Sequence, residues 1–203
     1  MNNYCLVKTK VANLYKDPSF SSELITQALI GERMLVLDNQ DNWYKVMQWD
    51  KYESWVHNFY IDIHIDKHSF NNFKQDNFSI DKFIKYLKSF LGTPYLWGGK
   101  SYLGFDCSGF VQTAFKRFGI NFPRDAYQQI NRNKLIEVKY KNISIGDLLF
   151  FADNKTVNHV AICIGNGEII HSSGCIKIEK LKENKELYNK LYKIMSVQNL
   201  INE

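Results

Sequence analysis

Two hydrophobic periods divide this chain. Up to about residue 65, apolar and aromatic positions fall in short runs at 27–29, 34–37, 43–46 and 54–56. Ile30-Gly31-Glu32, Asp38-Asn39-Gln40-Asp41-Asn42 and Asp50-Lys51 interrupt them as turn signals. Residues 4–14 read as the first strand, and strands at this spacing predict a small barrel. From Ser79 the period lengthens. Ile80, Phe83, Ile84, Leu87 and Leu91 fall on one side of a helix that Ser79 caps, and Gly92 and Pro94 end it. Residues 66–77, rich in Asn, Lys and Asp, mark the boundary. The expected domains are therefore 1–66 and 79–203, joined by a linker at 67–78.

A second helix carries the first sign of chemistry. Asp106 is a preferred N-cap, Phe110, Val111, Ala114, Phe115 and Phe118 follow at helical steps, and Gly119 ends the run. Cys107 falls in its first turn, where unpaired N–H groups and the macrodipole favour an anion. A thiol with an ordinary pKa near 8.5 is expected to fall there, next to an imidazolium. Gly104 and Gly109 read as room for a substrate backbone. Downstream, 157–164 alternate His159, Ala161 and Cys163 against Val160, Ile162 and Ile164, as a strand does. Gly165-Asn166-Gly167 is a hairpin turn, and 168–172 return. A three-residue loop pairs Ile164 with Glu168 and Ala161 with His171, which makes His171 the same-face diagonal neighbour of His159. A two- or four-residue loop would turn His171 to the other face. In the first register Cys107 is the nucleophile, His159 its base, and His171 the group that orients the base.

At these residues the chain resembles the NlpC/P60 superfamily of papain-like cysteine peptidases. The matching stretches begin with Leu91-Gly92-Thr93-Pro94-Tyr95-Leu96-Trp97-Gly98-Gly99 and Phe105-Asp106-Cys107-Ser108-Gly109-Phe110-Val111-Gln112. Phe122-Pro123-Arg124-Asp125, Gly146-Asp147-Leu148-Leu149-Phe150-Phe151 and Asn158-His159-Val160-Ala161-Ile162 follow in the family's order. The first region, with Gly31-Glu32, Trp43-Tyr44-Lys45-Val46 and Tyr52-Glu53-Ser54-Trp55-Val56, is similar to a bacterial SH3 domain. The implied fold class is α+β, a papain-like domain preceded by a small SH3-like β-barrel. The pairing resembles the dipeptidyl-peptidase branch that hydrolyses the γ-D-glutamyl–diamino acid bond of free murein peptides with an N-terminal L-alanine. It implies that Tyr95 helps hold the oxyanion and that Glu32, Tyr52, Asp106 and Ser108 bind the substrate α-ammonium. One departure stands at Ala126, where the family often has Ser after Pro-Arg-Asp. Two neighbouring readings keep the same residues: an exported endopeptidase acting on intact peptidoglycan, and a papain-like acyltransferase.

Composition narrows the classes. The 203 residues, 45% of them hydrophobic, suffice for two modest cores, and no run of about 18 apolar residues appears. The start lacks a signal-peptide pattern, and four cysteines show neither metal spacing nor disulfide density, so a cytoplasmic enzyme is expected. Cys163 and Cys5 read as core, and Cys175 as a neighbour of the cleft. The net charge of +5 is scattered without a basic stripe, which argues against nucleic acid as a partner. The partner expected is a murein tri- or tetrapeptide. His64 and His68 lie four apart with carboxylates nearby but lack the remaining ligands of a metal site, so no metal or organic cofactor is expected. Asp147 reads as a turn-fixing carboxylate, and the alternating charges of 180–193 read as a solvated helix.

Overall fold

The computed structural model describes residues 4–63 and 75–201. The chain divides into two units, Met1–Lys74 with Trp97–Ser101, and Gln75–Leu96 with Tyr102–Glu203. His64 and His68, with most of the expected linker, lie outside the described residues.

The first unit is all β. Its strands are β1 (Tyr4–Val7), β2 (Val11–Tyr15), β3 (Leu24–Leu29), β4 (Arg33–Gln40), β5 (Trp43–Met47), β6 (Glu53–His57) and β7 (Ile61–Ile63). They form one sheet in the order β3-β2-β6-β5-β4-β1-β7. The expected single strand over 4–14 is two strands, and parity explains why. Cys5 and Val7 are buried at odd positions, Ala12 and Leu14 at even ones, so one straight strand would send the two pairs to opposite faces. The break at Lys8-Thr9-Lys10 puts all four into one core with Ala28, Met34, Val46, Val56 and Ile61. β4 runs on through Asp38-Asn39-Gln40, and the turn narrows to Asp41-Asn42, with Asp41 at φ 51°. The short strand β8 (Lys100–Ser101) belongs to this unit, where Lys100 N donates to Gln27 Oε1 at 3.0 Å and Trp97 Nε1 to Glu23 Oε1 at 2.9 Å. Between them Gly98 sits at φ +75°, and a Cβ there would run into the Leu24 carbonyl.

The second unit is α+β. Helix α1 (Ile80–Lys88) is capped by Ser79, whose hydroxyl accepts from Lys82 N. It is followed by β9 (Gly104–Phe105), α2 (Cys107–Lys116) and α3 (Ala126–Gln129). β10 (Ile136–Glu137), β11 (Leu148–Asp153), β12 (Thr156–Gly165), β13 (Glu168–Ser173), β14 (Cys175–Lys180) and β15 (Leu191–Ser196) complete the sheet. Its antiparallel order is β10-β15-β11-β12-β13-β14. Phe110, Val111, Ala114 and Phe115 of α2 pack with Leu148, Phe150, Val160, Ile162 and Ile170 of the sheet, the largest core of the molecule. The stretch 180–193 holds only the five-residue helix α4 (Lys185–Asn189), and β15 follows at once. Buried Ile194 and Met195 draw that strand between β10 and β11, and this burial overrides the charge pattern. After it comes the short helix α5 (Gln198–Ile201). Asp147 is fully buried and accepts from Ser144 N at 2.8 Å and Val197 N at 3.3 Å, the turn-fixing role expected of it. No helix among the described residues is long and apolar enough to cross a membrane.

Candidate active site

The helix start that presents Cys107 is clamped from several sides. The Asp106 carboxylate accepts from Gly109 N at 2.6 Å as N-cap, and buried Arg124 grips both its oxygens, Nη1 to Oδ1 at 3.0 Å and Nη2 to Oδ2 at 2.5 Å. Arg124 Nη1 also donates to Ser108 Oγ at 3.0 Å, and Gln129 Nε2 to the Ser108 carbonyl at 3.0 Å. A bidentate guanidinium–carboxylate pair fixes geometry as well as charge. Asp106 and Ser108 therefore build the turn that holds the nucleophile, whatever they also contribute to substrate. Arg124 and Gln129 carry this clamp and were not picked out as site residues, although Arg124 lies in the quoted Pro-Arg-Asp stretch. Gly104 also has a purpose other than the expected one. A Cβ there would strike the Leu96 side chain and crowd the Pro94 carbonyl, so its small size serves internal packing.

Cys107 is 8% exposed, with the backbone N–H groups of Val160 and Ser108 near its sulfur. The expected low thiol pKa is not what this environment gives. Burial, then the Asp106 charge, push it up to about 11, against the opposing pull of the two N–H groups and Arg124. His159 moves the other way, to about 3, through burial and then the neighbouring His171. The resting site therefore holds a neutral thiol and a neutral imidazole. Dry surroundings penalise both ions, and the first-turn dipole does not outweigh them. Tyr95 lies close enough to feel the Cys107 charge, and burial with that charge raises its phenol to about 12. Its hydroxyl stays protonated and available as a donor.

The two histidines meet as the face argument requires: His159 Nε2 and His171 Nδ1 are 2.8 Å apart. The turn that achieves this is not the three-residue one. Asn166 and Gly167, at φ 54° and 75°, make a two-residue turn between Gly165 and Glu168. Positive φ at both central residues is the form that suits a tight hairpin. A register shift between Cys163 and Gly165 then restores the pairs Cys163–Ile169 and Ile162–Ile170. Carried on one residue, this sets Ala161 opposite His171. The bulge thus supplies the residue that the shorter loop lacks.

Beyond His171 stands Glu179, which went unnoticed in the sequence. Its Oε2 lies 2.7 Å from His171 Nε2, and its Oε1 lies 3.2 Å from Lys177 Nζ. The signal was available. β14 pairs His171 with Lys177 and Ile169 with Glu179, so Glu179 is the diagonal neighbour of His171, just as His171 is of His159.

The remaining expected residues each sit within their own unit. Glu32 and Tyr52 lie in the first unit. Buried Glu32 accepts through Oε2 from Leu29 N at 3.2 Å and from Gln48 Nε2 at 3.3 Å. Tyr52 N donates to Asp50 Oδ1 at 3.1 Å. Ala126 is buried in the same core cluster as Cys107. Cys163 packs in the smaller core on the opposite sheet face, and Cys5, buried in the first unit, has its thiol pushed up to about 12 by burial. Cys175 is partly exposed and bridges to Pro94.

Comparisons with known proteins identify the family and its relatives. The NlpC/P60 family profile matches residues 92–195, and the bacterial dipeptidyl-peptidase SH3 domain profile matches residues 14–58. The γ-D-glutamyl-L-lysine dipeptidyl-peptidase of Bacillus cereus is 47% identical over 95 residues, 45% of this chain and 28% of that protein. Its Bacillus subtilis counterpart is 44% identical over 105 residues, 50% of this chain and 35% of that one. The matches thus span about a third of those relatives. A crystal structure of an NlpC/P60 family protein from Bacillus cereus superposes with a TM-score of 0.55 at 28% identity, over 95% of this chain and 62% of that one.

Proposed function

Since the chain belongs to the NlpC/P60 family, we propose that it is a cysteine peptidase that cleaves the γ-D-glutamyl–diamino acid bond of short murein peptides. The observation that carries this reading is the His159–His171 pair, 2.8 Å apart across the neighbouring strands β12 and β13, with the N–H of Val160, the residue after His159, near the sulfur of the helix-start Cys107. As the Cys107 sulfur attacks the γ-carbonyl, its proton passes to His159 Nδ1. The Tyr95 hydroxyl and backbone N–H groups receive the oxyanion. His159 then gives that proton to the departing amine, and water, deprotonated by His159, hydrolyses the thioester. Ion formation accompanies the attack, because burial holds both partners neutral beforehand.

The dipeptidyl-peptidase SH3 match and the two Bacillus relatives support substrates with a free amino terminus. Glu32 and Tyr52 are the residues the resemblance nominates for the ammonium. Free thiols at Cys5, Cys107, Cys163 and Cys175 support a reducing compartment, and with it the recycling of free peptides in the cytoplasm. The test compares L-Ala-γ-D-Glu-L-Lys and its diaminopimelate counterpart with their N-acetylated forms and with intact peptidoglycan. Loss of the ammonium partner of a buried carboxylate is expected to cost about thirty- to several-thousandfold in kcat/KM. Glu32→Gln narrows that gap. Equal cleavage of free and acetylated peptides, or preference for intact peptidoglycan, would replace this reading with the endopeptidase one.

A further inference from the structure

Glu179 decides what His159 is able to do. A neutral imidazole carries one N–H, and which nitrogen bears it is set by the hydrogen bond the ring makes. His159 acts as a base toward Cys107 only if Nδ1 is unprotonated, so its proton must sit on Nε2. Nε2 faces His171 Nδ1 at 2.8 Å, which must therefore be the acceptor. That in turn requires the His171 proton on Nε2, and Nε2 faces the Glu179 carboxylate at 2.7 Å. A carboxylate only accepts. The opposite arrangement would set a bare His171 Nε2 against a carboxylate oxygen and turn His159 Nδ1 into a donor, useless as a base.

We propose that Glu179 is a positioning residue that fixes the tautomers of His171 and His159 in sequence, extending the Cys107–His159–His171 group to a fourth member. The inference rests on the peptidase reading for its kinetic consequences, but its tautomer chain stands on the geometry. Strand alternation makes the arrangement. Ile176 and Ile178 of β14 turn toward the core under α2, while Lys177 and Glu179 share the other face with His171. Asn184 Nδ2 holds Glu179 Oε2 from the far side at 3.5 Å. The carboxylate also favours the positive charge that His159 takes up during attack, and Lys177, 3.2 Å from its other oxygen, tempers that effect. Asp153, Glu186 and Lys190 line the cavity beside both rings; their ion pairs with one another leave Glu179 and Lys177 as the charges in contact with the relay.

Two substitutions separate the tautomer from the charge. Glu179→Gln retains a carbonyl acceptor and loses the charge; Glu179→Ala loses both. In the full chain with ¹⁵N-labelled histidine, ring-nitrogen spectra should show Nε2–H at both His159 and His171. Glu179→Gln should keep that pattern, and Glu179→Ala should lose it at His171. The alanine variant should lose about ten- to a hundredfold in kcat with little change in KM, the scale for an outer partner of a functional histidine. The glutamine variant should lose less. The acid limb of kcat/KM should move to lower pH in Glu179→Gln and to higher pH in Lys177→Met, since the two charges act on His159 with opposite sign. A merely structural role moves neither limb. Wild-type spectra and kcat in Glu179→Ala would overturn the proposal, and so would a shift of both limbs in one direction. If the alanine variant does not fold, the glutamine spectra and the opposed limbs still decide. Failure of the wild type to cleave any γ-D-glutamyl peptide overturns the peptidase reading and leaves the spectra to judge the tautomers.

Discussion

The two faces of the six-stranded sheet are built from alternate residues of the same strands, yet they serve different ends. Val160, Ile162, Ile164, Ile170 and Ile176 turn one way, into the core beneath α2, and the one polar group buried among them on β13, Ser172, donates to the Phe105 carbonyl at 2.6 Å. Ala161, Cys163 and Ile169 turn the other way, into a smaller core with Leu181 and Ile194. That second row changes character along its length: Cys163 and Ala161 lead to His159, and Ile169 leads to His171, with Glu179 and Lys177 beside them on β14. A period of two thus separates the histidine relay from the core row within a single strand, while Cys107 stands at the start of α2 on the core side. The polar groups need no loop to carry them, and the apolar row beneath holds them rigid.

The sharpest way to break this comparison is to mutate neighbours on opposite faces. His159→Ala is expected to cost about four orders of magnitude or more in kcat, since it removes both proton transfers. His171→Ala should cost less, and the double variant should be little worse than His159→Ala alone, because members of one catalytic unit are not additive. Ile162→Ala, three residues along β12 on the other face, should instead cost about 2–5 kcal/mol of stability. Its folded fraction should turn over at the wild-type rate. Kinetics and urea melts on the four variants check this. Multiplicative losses for the histidines, or a kcat defect in Ile162→Ala, would show that the two faces are not separable.

Much of this division was legible in the sequence, because it rests on local rules. Cap, apolar spacing and Gly119 located α2, and alternation put His159 and His171 on one face. What escaped notice depended on the tertiary context. The thiol of Cys107 was expected to ionise at a helix terminus, but burial beside Asp106 outweighs the dipole. The sequence leaves the hairpin loop open between two, three and four residues, because a bulge one step before a glycine leaves no mark in the pattern. β15 is hidden by Lys190 just before it and Lys193 within it, while Ile194 and Met195 are buried. Glu179 needed only one further application of the diagonal rule, but β14 begins immediately after a turn at Gly174 and shows a charged alternation that resembles any solvated strand.

The polar face should also register in stability. The folded-state pKa of His159, about 3, lies below its ordinary 6.5. Between those values the unfolded chain binds more protons, so stability is complete above about 6.5 and is lost as pH falls toward 3. From pH 7.5 to 5.0 the window crossed is about 1.5 units, or about 2 kcal/mol for this one residue. His171 is lowered in the same sense by burial, with Glu179 opposing. Glu179, itself lowered, adds a loss at more acid pH. Urea unfolding at the two pH values measures the difference, and His159→Asn should reduce it by about 2 kcal/mol while abolishing turnover. An undiminished difference would mean that His159 is solvated and titrates as in the unfolded chain.

The smallest expected effect lies at the seam between core and site. Ala126 opens α3 and is buried in the cluster that contains Cys107, at the position where the family often carries Ser. A methyl there belongs to the apolar side of the comparison, and a hydroxyl would belong to the chemical side. One neutral hydrogen bond is worth about 0.5–1.5 kcal/mol, so Ala126→Ser should lower KM about two- to tenfold with kcat unchanged if the position faces substrate. Without substrate the same hydroxyl is buried unpaired, and the variant should melt earlier than the wild type. Both changes arise from one group that finds its partner only in the complex, so they should appear together. An unchanged KM with lowered stability would assign Ala126 to the core alone and draw the line between the two regions on the near side of α3.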